Sequence, residues 1–211
     1  MEFLEYQIEA DALYLGERPK GDIFKACIRT IPFSQITGAL NRRFGRLDFK
    51  AAGYLVDEVD RNAVRYLTYS PRDRVTNLSK VPLQVEFLSD VLGRVLILAN
   101  YASPYLPERF SLPLGGLRSR GFGICKLTFL QKQRVQRTIP GYLLTRIPLS
   151  ETNNFAIRTD IKIFFPQYGY LFRPEPGTYT GVYVKSLFEG SLVVGPHFLL
   201  TPRTREADNS G

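Results

Sequence analysis

Histidine occurs once in the 211 residues and cysteine twice. Cys27, Cys125 and His197 stand far apart in the chain, so a zinc site built from Cys and His cannot be assembled from them. The two cysteines read as buried free thiols, because an unpaired Cys behaves as a small hydrophobe. A histidine general base would have to be His197, in "VVGPHFLL", where strand packing accounts for a lone imidazole at least as well. Neither a metal nor an organic cofactor is expected.

Long apolar runs are missing too. No stretch reaches the roughly 18 residues of a membrane span. The opening "MEFLEYQIEA" is acidic and alternating, where a secretory signal would be basic and then continuously apolar. The expectation is a cytoplasmic protein with no membrane partner.

The most informative absence is of negative charge. From Arg109 to Ser150 there is no Asp or Glu, while Arg109, Arg118, Arg120, Lys126, Lys132, Arg134, Arg137 and Arg146 all fall inside the stretch. A solvated face normally mixes signs, and this one does not. Over the whole chain, 28 Lys and Arg against 20 Asp and Glu give a formal net charge of +8. An acidic partner follows, nucleic acid and anionic membrane being the common kinds. Apolar residues make up 44% of the chain, enough for one good core or two small ones that share an interface.

Local patterns give an order of elements. "FLEYQIEA" alternates as a half-buried strand does, and a loop with Gly16, Pro19 and Gly21 follows it. "IPFSQITGALNRRFG" predicts a helix with Ser34 as N-cap, Ile36, Ala39, Leu40 and Phe44 on one face, Gly45 at its close, and Arg42 and Arg43 pointing outward. "RNAVRYLTYS", "LQVEFLS" and "RVLILANY" read as strands, with "SDVLG" as a hairpin turn between the last two. A glycine loop then enters the strand "ICKLTFLQKQ". This order suits an α+β protein with a ferredoxin-like, RRM-like domain over 1–137.

Past Pro140 the strand-like runs "GYLLTRIPL", "IRTDIKIFF", "YGYLFRP" and "GVYVKSLFEGSLVV" alternate with Pro and Gly. They predict a smaller β-rich region over 138–201, with 202–211 as a flexible tail.

The glycine loop, "LPLGGLRSRGFGICKLTF", is the strongest local signal. It is not a phosphate-binding Walker loop, because Phe122 stands where Lys is needed. It also fails as a dinucleotide fingerprint, since Lys126 occupies the third small position and the loop enters a strand. Arg120, Gly121, Phe122 and Gly123 fit the first four positions of the RRM signature, but Ile124 replaces its stacking aromatic. Glycines allow close approach of backbone N–H groups to phosphate, and Arg118 and Arg120 can fork onto phosphate oxygens. The competing reading is a sharp turn with incidental arginines.

"GGLRSRGFG", Gly115 to Gly123, resembles the glycine-rich loop of the RAMP superfamily, the ferredoxin-like subunits of CRISPR effector complexes. "IPFSQITGAL" is similar to the "IPGSSLKGAL" element that opens the first helix in that family, with Phe33 where Gly is usual. About ninety residues follow Gly121, and their "YGYLFRP" and "KSLFEGSLV" resemble the C-terminal half of the type III subunits that cap the 5′ end of the guide RNA. The resemblance implies a non-catalytic subunit of a hetero-oligomeric ribonucleoprotein in antiviral defence, with guide RNA and other effector subunits as partners. Gly115, Gly116, Arg118, Ser119, Arg120 and Gly121 would hold the backbone of the guide's 5′ tag, with Lys126 beside them and Arg42 and Arg43 extending the track. Tyr101, Tyr105 and Phe122 are candidates to stack on splayed tag bases.

Two alternatives stay open. One is a backbone-forming subunit of the same superfamily, a metal-dependent endoribonuclease that would use Asp22 to cleave target RNA. The other is an unrelated basic RNA-binding protein, for example a ribosome-associated factor.

Overall fold

The computed structural model describes residues 1–16, 23–45, 48–73, 75–101, 103–159, 165–174 and 180–202. Its strands are β1 (Glu2–Leu13), β2 (Phe24–Lys25), β3 (Ala51–Leu55), β4 (Ala63–Tyr69), β5 (Leu83–Leu98), β6 (Arg109–Pro113), β7 (Ile124–Arg134), β8 (Thr138–Leu143), β9 (Ile147–Pro148), β10 (Tyr168–Pro174), β11 (Gly181–Leu187), β12 (Leu192–Pro196) and β13 (Leu200–Pro202), with the helix α1 (Phe33–Arg43) between β2 and β3. The protein is mixed α/β and mostly strand.

β1 to β7 make one mixed sheet. β1 lies between β5 and β7, β6 flanks β7, and β3 and β4 lie end to end along the outer edge of β5. β2 continues the line of β1 and runs parallel to β5.

Alternation in β1 assigns the two faces. Leu4, Tyr6, Ile8 and Ala10 are buried in the cluster that also holds Ile36 and Leu40 of α1. Burying such a side chain contributes about 1.5–3 kcal/mol, which is what holds the helix to this face.

The opposite face is half polar and half apolar. Glu5 is buried there, and its carboxylate accepts hydrogen bonds from Gln131 Nε2 at 2.8 Å and Gln133 Nε2 at 2.9 Å. Phe3, Ala52 and Leu96 on the same face pack with Ile147, Phe155, Leu187, Val193, Phe198 and Leu199 into a second core cluster. The Phe3 ring sits 5.5 Å from those of both Phe155 and Phe198. The residues after β7 form two three-stranded sheets, β10-β11-β9 and β12-β8-β13. They cover the part of the sheet on which those apolar groups stand.

Three sequence expectations change. Ser34 is not the N-cap of α1: Pro32 holds that position, and the backbone N–H of Phe33 donates to the Arg146 carbonyl at 3.0 Å. A carbonyl from the C-terminal region therefore does what a side-chain cap would have done.

"LQVEFLS" and "RVLILANY" are one continuous strand, β5, and "SDVLG" is not a turn. Asp90 has φ +53° and marks the gap where β3 stops and β4 has yet to begin. The Asn62 side chain fills that gap: its Nδ2 donates to the carbonyls of Val56 (2.8 Å) and Leu92 (3.0 Å), and its Oδ1 accepts from Leu92 N–H (2.9 Å). Gly93 is needed within the strand because a Cβ there would stand 2.6 Å from the Tyr54 carbonyl oxygen.

No strand was expected over "RFSLP", which forms β6, so the glycine loop is the connection of a β6–β7 hairpin. Most of "IRTDIKIFF" and of the expected tail lies outside the described residues.

The "FEGS" corner has a structural role. Arg146 Nε and NH2 donate to Glu189 Oε2 and Oε1 at 2.6 and 2.8 Å. The Ser191 hydroxyl donates to the Phe188 carbonyl at 2.7 Å and accepts from Gln167 N–H at 2.9 Å. Arg146 thereby leaves the pool of unneutralised cations.

Candidate nucleic-acid interface

The β6–β7 loop is fixed at both ends to the last residues of β1 and those just after it. Gly116 N–H donates to the Tyr14 carbonyl at 2.9 Å, Gly123 N–H to the Ala12 carbonyl at 2.8 Å, and Leu114 N–H to the Gly123 carbonyl at 2.8 Å. Gly123 has φ +75°, and a Cβ on it would collide with the Leu114 carbonyl. Glycine here serves close approach of chain to chain. The Gly116 N–H, expected to face phosphate, is committed within the protein, as is that of Gly123.

Beneath Gly116 lies the Tyr14 ring, with Cδ1 only 2.9 Å from where a Cβ would be. Burial, with the Cys27 thiol and the Tyr69 hydroxyl nearby, pushes the Tyr14 phenol above its ordinary value. The ring is a neutral floor for the loop.

The tip stands clear of these anchors. Leu117 adopts a left-handed conformation (φ 54°), Arg118–Arg120 form a single 3-10 turn, and Gly121 closes it at φ 85° with open space where a Cβ would be. Arg118, Ser119, Arg120 and Gly121 are all exposed. No ion pair is made by Arg118 or Arg120 among the described residues. Arg120 is instead held with its guanidinium 3.9 Å from the centroid of the Tyr69 ring.

Phe122 packs edge-on against Phe87 with centroids 4.9 Å apart, and it is buried. It is a packing residue and is not free to stack on a base. Tyr101 and Tyr105 are exposed, at 70% and 66%.

The other expected residues are not gathered at the tip. Lys126 is exposed on the sheet face away from α1, because its neighbours Cys125 and Leu127 point into the helix-side core. Arg42 and Arg43 are exposed at the C-terminal end of α1, where Phe44 packs on Phe110 at the start of β6. The opposite end of the helix is nearer the loop, since Gln35 Nε2 donates to the Gly16 carbonyl at 3.4 Å. An 11-residue helix is about 16 Å long, so the structure does not bring these arginines to the tip. Asp22 lies outside the described residues. Among the described residues no three His, Cys, Asp or Glu side chains are grouped as metal ligands would be.

Tyr69 was not singled out by the sequence. It becomes visible only once β4 is placed at the edge to which the loop reaches.

No family model matches the chain, and no curated protein matches it by sequence. Solved structures do resemble it. A chain of the type III-B Cmr-β complex bound to cognate target RNA and AMPPnP aligns with a TM-score of 0.60 and 12% identity, over 92% of this chain and 86% of that one. A chain of the same complex bound to cognate target RNA gives 0.59 and 12%, over 90% and 86%. A chain of a CRISPR RNA-guided surveillance complex gives 0.51 and 13%, over 96% and 95%. The likeness is one of fold across nearly the whole of each chain. No helix among the described residues is long and apolar enough to cross a membrane.

Proposed function

We propose that this protein is a non-catalytic RNA-binding subunit of a type III-like CRISPR ribonucleoprotein, which holds the 5′ tag of the guide RNA and caps the effector complex. The observation that carries the reading is the loop tip: two arginines that make no ion pair among the described residues, on a short exposed turn anchored through Gly116 and Gly123 and steadied by Tyr69. An arginine already fixed in place loses little rotamer freedom when it binds a phosphate, and its planar fork matches phosphate oxygens.

The fold similarity to subunits of CRISPR complexes supports the setting. The strand order supports a ferredoxin-like ancestry for residues 1–137: β1 lies centrally between β5 and β7, with α1 following β1 and the β3–β4 pair outside β5. In the place of a second helix, the described residues between β5 and β7 carry two 3-10 turns, Ser103–Tyr105 and Arg118–Arg120, with β6 between them. Residues 138–201 are then an elaboration docked on the sheet face opposite α1.

The test is a fluorescence titration of the protein with a guide carrying its natural 5′ tag and with one whose tag is scrambled. Preference for the natural tag that disappears in the Arg118→Ala, Arg120→Ala double variant supports the reading. Equal binding of both guides by the wild-type protein overturns the tag-specific part of it.

A further inference from the structure

The far end of β7 carries a second basic site that the loop does not use. Here the last residues of β7, the link to β8 and the turn after β12 enclose an open cleft of about 600 Å³ lined by Glu2, Lys132, Gln133, Arg134, Gln136, Arg137 and His197. That volume falls in the range that holds a nucleotide-sized ligand.

Its charge is unbalanced. Among the described residues Glu2 is the one carboxylate in the lining, and it is shared: Arg134 Nε lies 3.1 Å from Oε2, and Lys132 Nζ 3.9 Å from Oε1. Among the described residues Arg137 makes no ion pair, and the His197 ring is exposed at the cleft wall. Gln136 is exposed beside them, an amide that can both donate to and accept from a base edge.

We propose that this cleft binds a phosphate of single-stranded RNA together with its adjoining nucleotide, as a second contact separate from the loop tip. Arg137 and Lys132 supply the charge, Glu2 accepts a hydrogen bond from Arg134, and His197 with Gln136 borders the base and sugar. The inference rests on the RNA reading above. β7 has 11 residues, so the cleft and the loop stand about 35 Å apart. An RNA that engages both must run along the sheet.

His197 is the sole histidine of the chain, so a single imidazole Cε1–H signal in a proton–carbon NMR spectrum reports on the cleft alone. The probe is 5′-phosphorylated diuridylate, too short to span cleft and loop. The expected result is a saturable movement of that signal in the wild-type protein. The same titration should be unchanged in the Arg118→Ala, Arg120→Ala variant and about tenfold weaker in Arg137→Gln, the effect of one lost charge-assisted hydrogen bond. Arg137 is exposed, so its replacement leaves the core untouched. A His197 signal that stays still in the wild-type protein, or moves equally in Arg137→Gln, overturns the proposal. Failure of the loop reading is read separately, from long-RNA binding that survives loss of Arg118 and Arg120.

Discussion

The guanidinium of Arg120 lies 3.9 Å from the centroid of the Tyr69 ring, which ties the tip of the β6–β7 hairpin to β4 on the other side of the sheet. The loop crosses the end of the sheet to get there, past the carbonyls of Ala12 and Tyr14 and past the Phe87 ring. A flexible basic loop has become a fixed one. Cation–π contact of this kind is worth about 0.5–2 kcal/mol, according to how dry it is.

Replacing Tyr69 tests that steadying role. Tyr69→Phe keeps the ring and should bind RNA as the wild type does. Tyr69→Leu removes it and should weaken binding about two- to thirtyfold, the range that follows from the contact energy. Equal binding by both variants in a fluorescence titration would assign the ring to packing alone.

Removing Arg118 and Arg120 together should weaken RNA binding and flatten its dependence on salt. Each lost phosphate contact lowers the slope of log K against log salt by about 0.7–1. Titrations at several salt concentrations measure this directly, and an unchanged slope would take the loop out of the interface.

The loop glycines should differ in what they tolerate. Gly123→Ala drives a Cβ into the Leu114 carbonyl at φ +75° and should cost well over 2 kcal/mol, several degrees of melting temperature in a chain of this size. Gly121→Ala meets open space and should cost about 1–2 kcal/mol from its left-handed backbone alone. Thermal melts of the two variants settle the order.

Burial pushes the Cys27 thiol up to about 11 and the Cys125 thiol to about 12. Both should therefore resist a thiol reagent at pH 8 in the folded protein and react once it is denatured. Both thiols hold their protons more tightly folded than unfolded. Their contribution to stability is complete below the ordinary thiol value of 9.0 and is lost as pH rises through about 11 and 12. Tyr6, raised to about 12 mainly by burial, acts in the same direction. Denaturant melts between pH 8 and 11 should show stability falling toward the alkaline end.

What the sequence disclosed was local, and what it concealed was long-range. Alternation located β1 and β7, the run "YGYLFRP" located β10, and the spacing of Ile36 and Leu40 located α1, because each signal lies within a dozen residues. By contrast "GVYVKSLFEGSLVV", read as one run, is the two strands β11 and β12 with the "FEGS" corner between them. β5 was split at "SDVLG" because Asp and Gly there resemble turn chemistry, while their actual partners, Asn62 and Tyr54, come from another part of the chain. Ser34 lost its capping role for the same reason, to a carbonyl at Arg146. In the candidate site, the exposed Arg118–Gly121 tip follows from the motif, but the commitment of the Gly116 and Gly123 N–H groups to the carbonyls of Tyr14 and Ala12, the burial of Phe122 and the remoteness of Arg42 and Arg43 depend on how the sheet is assembled.

The measurement that tests the central claim most directly is to purify the protein gently from its native host, crosslink it to whatever RNA accompanies it, and sequence both the RNA and the crosslinked peptides. The account predicts short RNAs that share a fixed 5′ sequence, with crosslinks from that sequence to the peptide containing Leu117–Gly121. Heterogeneous RNA with no shared 5′ end, or crosslinks spread evenly along the guide, would contradict it.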